Sequence, residues 1–238
     1  MTPKIESAIL FTPGRASYRT QANPEAPFEL HLTQASERRA TVASQLFVAN
    51  PHFYERAVFA GGTPAVSEGW RDDQMPPDDQ REAYFMARPL KRRLREMDWP
   101  EEQIDQTVLT QGDSNNSIGD VRLSIERGLI DPDELDRNRR LGIRVVAGAA
   151  HSIRFKEIFS KALDINPDRI TRVRMCDVYG RPKTQFHPGE SRQKAISKEF
   201  AGIALTRLAL SRVRPGNLDD LRDAEERLNR WVSSVHHK

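Results

Sequence analysis

RVVAGAAHSIRFKEIF, residues 144 to 159, is the stretch that decides how the chain folds. Val145 and Val146 are β-branched and suit a strand. Ala147-Gly148-Ala149-Ala150 are small and suit a tight turn. Phe155, Ile158, Phe159 and Ala162 then recur at i, i+3, i+4 and i+7, the period of a helix with one buried side. A strand, a turn and a helix start form the unit from which open α/β sheets are built, and ligands in such sheets sit beyond the carboxyl ends of the strands. A helix start also offers unpaired N–H groups and a partial positive charge that suit an anion. His151 and Arg154 are three apart and share one face of that first turn. They read as an anion-binding corner. The alternative is a histidine that caps hydrogen bonds beside a solvated arginine.

The same unit recurs on both sides of this stretch. SAILFT, residues 7–12, is an apolar run closed by Pro13-Gly14, and residues 56–60 form a second run closed by Gly61-Gly62. Residues 107–110 and 143–147 read as a third and a fourth strand. Residues 170–175 alternate like a fifth strand near an edge. Helices are expected over 33–49, with Val42, Leu46, Phe47 and Ala49 as the apolar side, and over 79–97, with a kink or restart at Pro89. A helix after Ser117 carries Ile118, Val121, Ile125 and Leu129 on one face, and a charged helical connector covers 131–140. Residues 16–32, 63–80 (with Trp70) and 177–190 read as loops. Two helices, 191–210 and 218–235, close the chain. This alternation predicts a three-layer, Rossmann-like α/β sandwich of about five parallel strands. Residues 1–238 are expected to form one domain, with 191–238 a helical extension packed on it.

Right-handed crossovers bring the carboxyl ends of parallel strands to one rim. The small and polar residues fall just there: Pro13-Gly14-Arg15, Gly61-Gly62-Thr63, Gly112-Asp113-Ser114, and Gly148 to His151. Four such turns together argue for one site. Gly14, Gly61 and Gly62 let the backbone approach a ligand. Ser114, Asn116 and Ser117 supply short polar groups, while Arg15 and Arg154 supply forked cations, so the set reads as a cradle for phosphate or carboxylate. His151, Asp113 and Glu82 are the acid–base candidates. Asp113 could instead cap the helix that follows it.

These residues resemble the YdcF-like family, a domain of unknown function that includes the SanA and ElyC envelope proteins. The resemblance covers roughly residues 5 to 176. The family's Ser-Gly-Gly turn is similar to Ala60-Gly61-Gly62, and its Ser-Glu-Ala helix start to Arg81-Glu82-Ala83. Its Ser-x-Asn-Thr-x-Glu-Asn signature is similar to Ser114-Asn115-Asn116-Ser117-Ile118-Gly119-Asp120, and its His-x-x-Arg pair to His151 and Arg154. Gly119 stands in place of the signature's glutamate and Asp120 in place of its asparagine. Pro89 interrupts a helix that the family keeps whole. The resemblance implies the fold and the site, with S-adenosylmethionine a possible cofactor. It says little of the reaction.

Composition narrows the function further. The net charge is +3 and the arginines are scattered without interleaved aromatics, so nucleic-acid binding is not expected. The single cysteine, Cys176, allows no intrachain disulfide and suits a reducing compartment. The amino-terminal apolar run is too short for a signal peptide, and no stretch approaches the ~20 apolar residues of a membrane span. A cytoplasmic protein with no membrane partner is expected. The histidines lack metal-ligand spacing, so no metal is expected. There is neither a Walker loop nor a Gly-x-Gly-x-x-Gly fingerprint. Two functions remain: an enzyme that hydrolyses or transfers a group on a phosphorylated or nucleotide-like metabolite, and a protein that binds an S-adenosylmethionine-like ligand without turnover.

Overall fold

β1 (Ser7–Pro13) is apolar on both faces and buried from Ala8 onward, as the middle strand of a covered parallel sheet requires. It is the centre of a computed structural model that describes residues 4–14, 17–20, 29–62, 81–114, 116–174 and 192–236. β4 (Tyr54–Ala60) pairs with it on one side and β6 (Leu141–Ala147) on the other, both in parallel. β5 (Val108–Gln111) lies outside β4 and β7 (Ile170–Arg174) outside β6, giving the order β5-β4-β1-β6-β7. The chain thus builds outward from β1 in one direction, then returns to build in the other. The strand order reverses between β1 and β6, and in open parallel sheets ligands sit beyond the carboxyl ends at such a point.

Each face of the sheet has its own helical layer. Ala8, Leu10, Ala57 and Phe59 point toward α1 (Gln34–Ala49), α2 (Glu82–Glu96) and α3 (Glu101–Thr107). Ile9, Phe11, Val58 and Val145 point toward α4 (Ser117–Glu126) and α6 (Ala149–Leu163). Phe155 and Phe159 of α6 meet Phe11 with ring centroids 5.3 and 4.8 Å apart. The expected three-layer sandwich with five parallel strands is therefore present, and its fifth strand lies at an edge.

The two last helices belong to the second layer. α7 (Arg192–Leu210) contributes Ala209 and Leu210, and α8 (Leu218–His236) contributes Leu221, Ala224 and Leu228, to the same core as α4 and α6. Arg207 fixes α7 to α6 by a forked pair with Glu157, at 2.6 Å from one guanidinium nitrogen.

Two expectations are corrected. Residues 17–20 and 29–32, expected to be loop, form an antiparallel pair, β2 (Ser17–Thr20) and β3 (Glu29–Leu32), with Tyr18 opposite His31. A two-stranded ribbon outside the main sheet carries only a weak alternation signal. α2 also runs through Pro89 without a restart. Leu90 and Leu94 beyond the proline continue the buried stripe that Ala83 and Met86 begin before it. Burying those two leucines offsets much of the ~3 kcal/mol that an internal proline costs. The expected loops 63–80 and 177–190 lie outside the described residues, as does Arg15.

No helix among the described residues is long and apolar enough to cross a membrane. One buried charge secures the amino-terminal side of the sheet. Arg169 is 7% exposed and donates to the carbonyls of Leu135, Asn138 and Leu141 at 2.6–3.1 Å, joining α5 (Pro132–Arg137), β6 and the start of β7. Burial lowers its pKa. We predict that Arg169→Met, which leaves those carbonyls without a donor, destabilises the fold by about 2–4 kcal/mol. Thermal unfolding should show the midpoint roughly 5–15 °C lower. An unchanged midpoint would mean that solvent replaces the guanidinium at no cost.

Candidate active site

The rim is organised from the first residue of α2. The N–H of Ala83 donates to the Gly61 carbonyl at 3.1 Å, which pins the helix start to the end of β4. Glu82 is thereby turned inward, 5% exposed, and its Oε1 accepts from the Ser36 hydroxyl of α1 at 2.6 Å. Its carboxylate fills the space beside two glycines. A Cβ on Gly14 would overlap it, and a Cβ on Gly61 would stand 3.0 Å from its Oε2. Gly61 also has φ +150°, which disfavours any side chain. Arg39, 3% exposed, donates to the carbonyls of Pro13 and Gly14 at 2.9 Å each and so holds the end of β1.

The next layer of the rim is Gly62 against Ser114. A Cβ on Gly62 would overlap the Ser114 carbonyl, so the ends of β4 and β5 meet backbone to backbone. Ser114, 1% exposed, donates its hydroxyl to Asp120 Oδ1 and stands 3.1 Å from Gln111 Oε1. Asp120 lies in the first turn of α4 and is itself buried. Burial pushes its pKa up to about 7. The Ser114 hydrogen bond and the Arg154 charge oppose that rise, whereas the Glu82 and Glu225 carboxylates add to it.

His151 completes the arrangement from the start of α6. It is buried, its Nε2 shares a 3.0 Å hydrogen bond with Ser117 Oγ, and its ring packs on Phe155 at 4.9 Å. Gly148 is the N-cap residue of α6. Arg154, one turn on, is half-buried, and its guanidinium lies where a Cβ on Gly202 of α7 would stand 2.8 Å from Nη1.

The structure thus gathers Gly14, Gly61 and Glu82 into one cluster. Gly62, Ser114 and Asp120 form a second, and Ser117 pairs with His151. Arg154 bears electrostatically on Asp120, as do Glu82 and Glu225. Asp113 has another occupation: its carboxylate is held between Arg81 and Arg127. Nor does it cap α4. Asn116 does that, accepting from the N–H groups of Ile118 and Gly119 at 2.9 Å, while its Nδ2 donates to Asn229 of α8 at 2.8 Å.

Four residues of the rim carry no motif of their own. Ser36 and Arg39 lie on the buried side of α1 with Ala40, Ala43 and Phe47, a face rotated from the expected Val42–Leu46 side. That stripe of small residues was the available signal. Asp120 is visible in the sequence only as a departure from the resembled signature. Glu225 had no local signal at all. Among the described residues no three His, Cys, Asp or Glu side chains could hold a metal ion.

No family model, no curated protein and no solved structure matches the chain.

Asp120 makes the site's charge testable. Its folded pKa of about 7 lies above its ordinary 3.8, so the folded protein binds that proton more tightly than the unfolded chain. The resulting stabilisation is complete below about pH 4 and is lost as pH rises to about 7. The gap corresponds to roughly 4 kcal/mol as an upper bound. We predict that Asp120→Asn melts above the wild type at pH 8 and that the two curves converge near pH 4. Parallel melting curves at every pH would show that Asp120 titrates at its ordinary value.

Proposed function

We propose that the protein is an enzyme that hydrolyses or transfers a group on a phosphorylated or nucleotide-like small metabolite, at the carboxyl-end rim of its sheet. The observation that carries this reading is Asp120: a buried carboxyl poised to gain or lose a proton near neutral pH, hydrogen-bonded to Ser114 beside the Gly61-Gly62 turn. A general acid or base is most effective when its pKa lies near the working pH. In this reading Asp120 moves the proton at the reacting bond, and His151, oriented by Ser117, acts on the opposite side of the transfer. The start of α6 and the Arg154 guanidinium receive the anionic part of the ligand. Glu82 maintains the shape of the rim, and Asp113 stays in its arginine pairs.

A distant kinship to the YdcF-like family belongs to the same proposal. It is supported by the convergence of Gly61-Gly62, Ser114 to Asp120, and His151 with Arg154 at one rim. It is also supported by a substitution of position: where the signature has a glutamate this chain has Gly119, and the Glu225 carboxylate occupies the adjoining space. The solitary Cys176 supports a cytoplasmic setting.

A second reading is favoured by the three buried carboxyls Glu82, Asp120 and Glu225. They would suit a ligand that carries a positive centre, such as the sulfonium of S-adenosylmethionine, bound without turnover.

The deciding experiment pairs mass spectrometry of any co-purifying ligand with a turnover screen over nucleotides and phosphorylated metabolites from pH 5 to 9. The enzyme reading expects kcat/KM to change around pH 7 and Asp120→Asn to lower kcat by about 10²–10⁴-fold with binding retained. Tight binding of S-adenosylmethionine with no turnover of any candidate would overturn it in favour of the second reading. A further prediction concerns affinity: Arg154→Ala should weaken an anionic ligand by roughly ten- to a hundredfold in calorimetry. Unchanged affinity with a lowered melting temperature would make Arg154 a structural partner of α7.

A further inference from the structure

α8 does more than cover apolar surface. It lies antiparallel along α4 and is fixed to it at three points: Asn229 to Asn116 at 2.8 Å, Glu225 to Arg122 at 2.7 Å, and Arg222 to Glu126 at 2.9 Å. The middle point is unlike the other two because Glu225 is buried, 8% exposed, and does not end at the arginine. Its Oε2 accepts from Arg122 Nε, which leaves Oε1 directed at the bare Cα of Gly119, where a Cβ would overlap it. That same Cβ would stand 3.3 Å from Ser114 Cβ. The carboxylate therefore lies against the α4 surface at Gly119, the residue before Asp120 and close to Ser114, in space that a side chain at position 119 would fill.

We propose that Glu225 is a positioning residue of the rim, delivered by the C-terminal helix into the gap at Gly119, and that its charge helps to hold the proton on Asp120. The proposal rests on the reading of Asp120 as the rim's acid–base group. Three charged groups face Asp120 from three packed helices: Glu82 from α2, Glu225 from α8 and Arg154 from α6. Glu82 is held by Ser36 at the strand ends. Arg154 opposes the two carboxylates. Among the described residues of the C-terminal helices, Glu225 is the charged group that bears on Asp120, so the seating of α8 bears on the rim's charge. Like charges that share a buried site raise each other's proton affinity, and removing one lowers it.

The test is the titration of the Asp120 carboxyl, followed by ¹³C NMR in aspartate-labelled full-length protein and assigned by its loss in Asp120→Asn. Glu225→Gln keeps the shape and the Arg122 hydrogen bond but removes the charge. It is expected to move the Asp120 midpoint down by on the order of half to one pH unit. Gly119→Ala, which displaces the carboxylate without removing it, is expected to move the midpoint in the same direction. Glu226→Gln, on the exposed side of α8, is expected to leave it in place. A midpoint unchanged in Glu225→Gln, in protein that melts cooperatively, overturns the proposal. So does an equal shift in Glu226→Gln, which would make the effect one of general surface charge. The NMR readout needs no turnover. If the midpoint moves but no substrate is ever turned over, the coupling stands and only the enzymatic reading fails. If turnover depends on Asp120 while the midpoint ignores Glu225, the enzymatic reading stands and this proposal fails.

Discussion

The buried carboxylate of Glu82 is the constraint on which the rim depends. An ionised group removed from water is costly unless hydrogen bonds replace its hydration, and the Ser36 hydroxyl at 2.6 Å is one such replacement. Making room for it requires β1 and β4 to end in residues without side chains, which accounts for Gly14 and Gly61. Arg39 then ties down the carbonyls that flank Gly14. Two helices and two strands are locked at one point. The next residue, Gly62, packs directly on the Ser114 backbone, so the position of Ser114 follows from that of Glu82.

Ser114 in turn donates its hydroxyl to Asp120. Glu82 and Glu225 flank Asp120, and Arg154 opposes them. Burial first, and then the two carboxylates, push the Asp120 pKa up to about 7. α4 carries Asp120, the Asn116 cap and Arg122, and all three are tied to the rest of the molecule by other helices or strands. A shift of α4 would therefore alter the cap, the proton-bearing carboxyl and the contact with α8 together.

The rim includes the point at which the strand order reverses, between the ends of β1 and β6. Its chemistry differs from a plain phosphate cradle. Arg39 donates to backbone carbonyls and Asp113 pairs with two arginines, while the expected Glu82 is joined by two further buried carboxyls, Asp120 and Glu225. Arg154 stands one turn into α6, against Gly202 of α7.

Much of this was legible in the residues because local periodicity is written locally. Val145-Val146, the small turn and the Phe155–Ala162 stripe specify strand, turn and helix without reference to the rest of the chain. Repeating that unit dictates a parallel sheet, and a parallel sheet dictates a shared rim. Gly61-Gly62, Ser114 and His151 could be assigned to that rim from strand ends alone. The partners of those residues could not. Asp113 and Asp120 are both acids near a helix start, and only packing sends one to Arg81 and Arg127 and the other beneath Ser114. Arg122 and Glu225 meet across 103 positions, and nothing near either residue announces the other. The sequence by itself determined the alternation, the strand ends and the glycines, since these depend on backbone conformation and on period. Only the tertiary structure decided which carboxyl is buried and which is paired, because proton affinity depends on the charges and solvent around a group, and those arrive from distant segments.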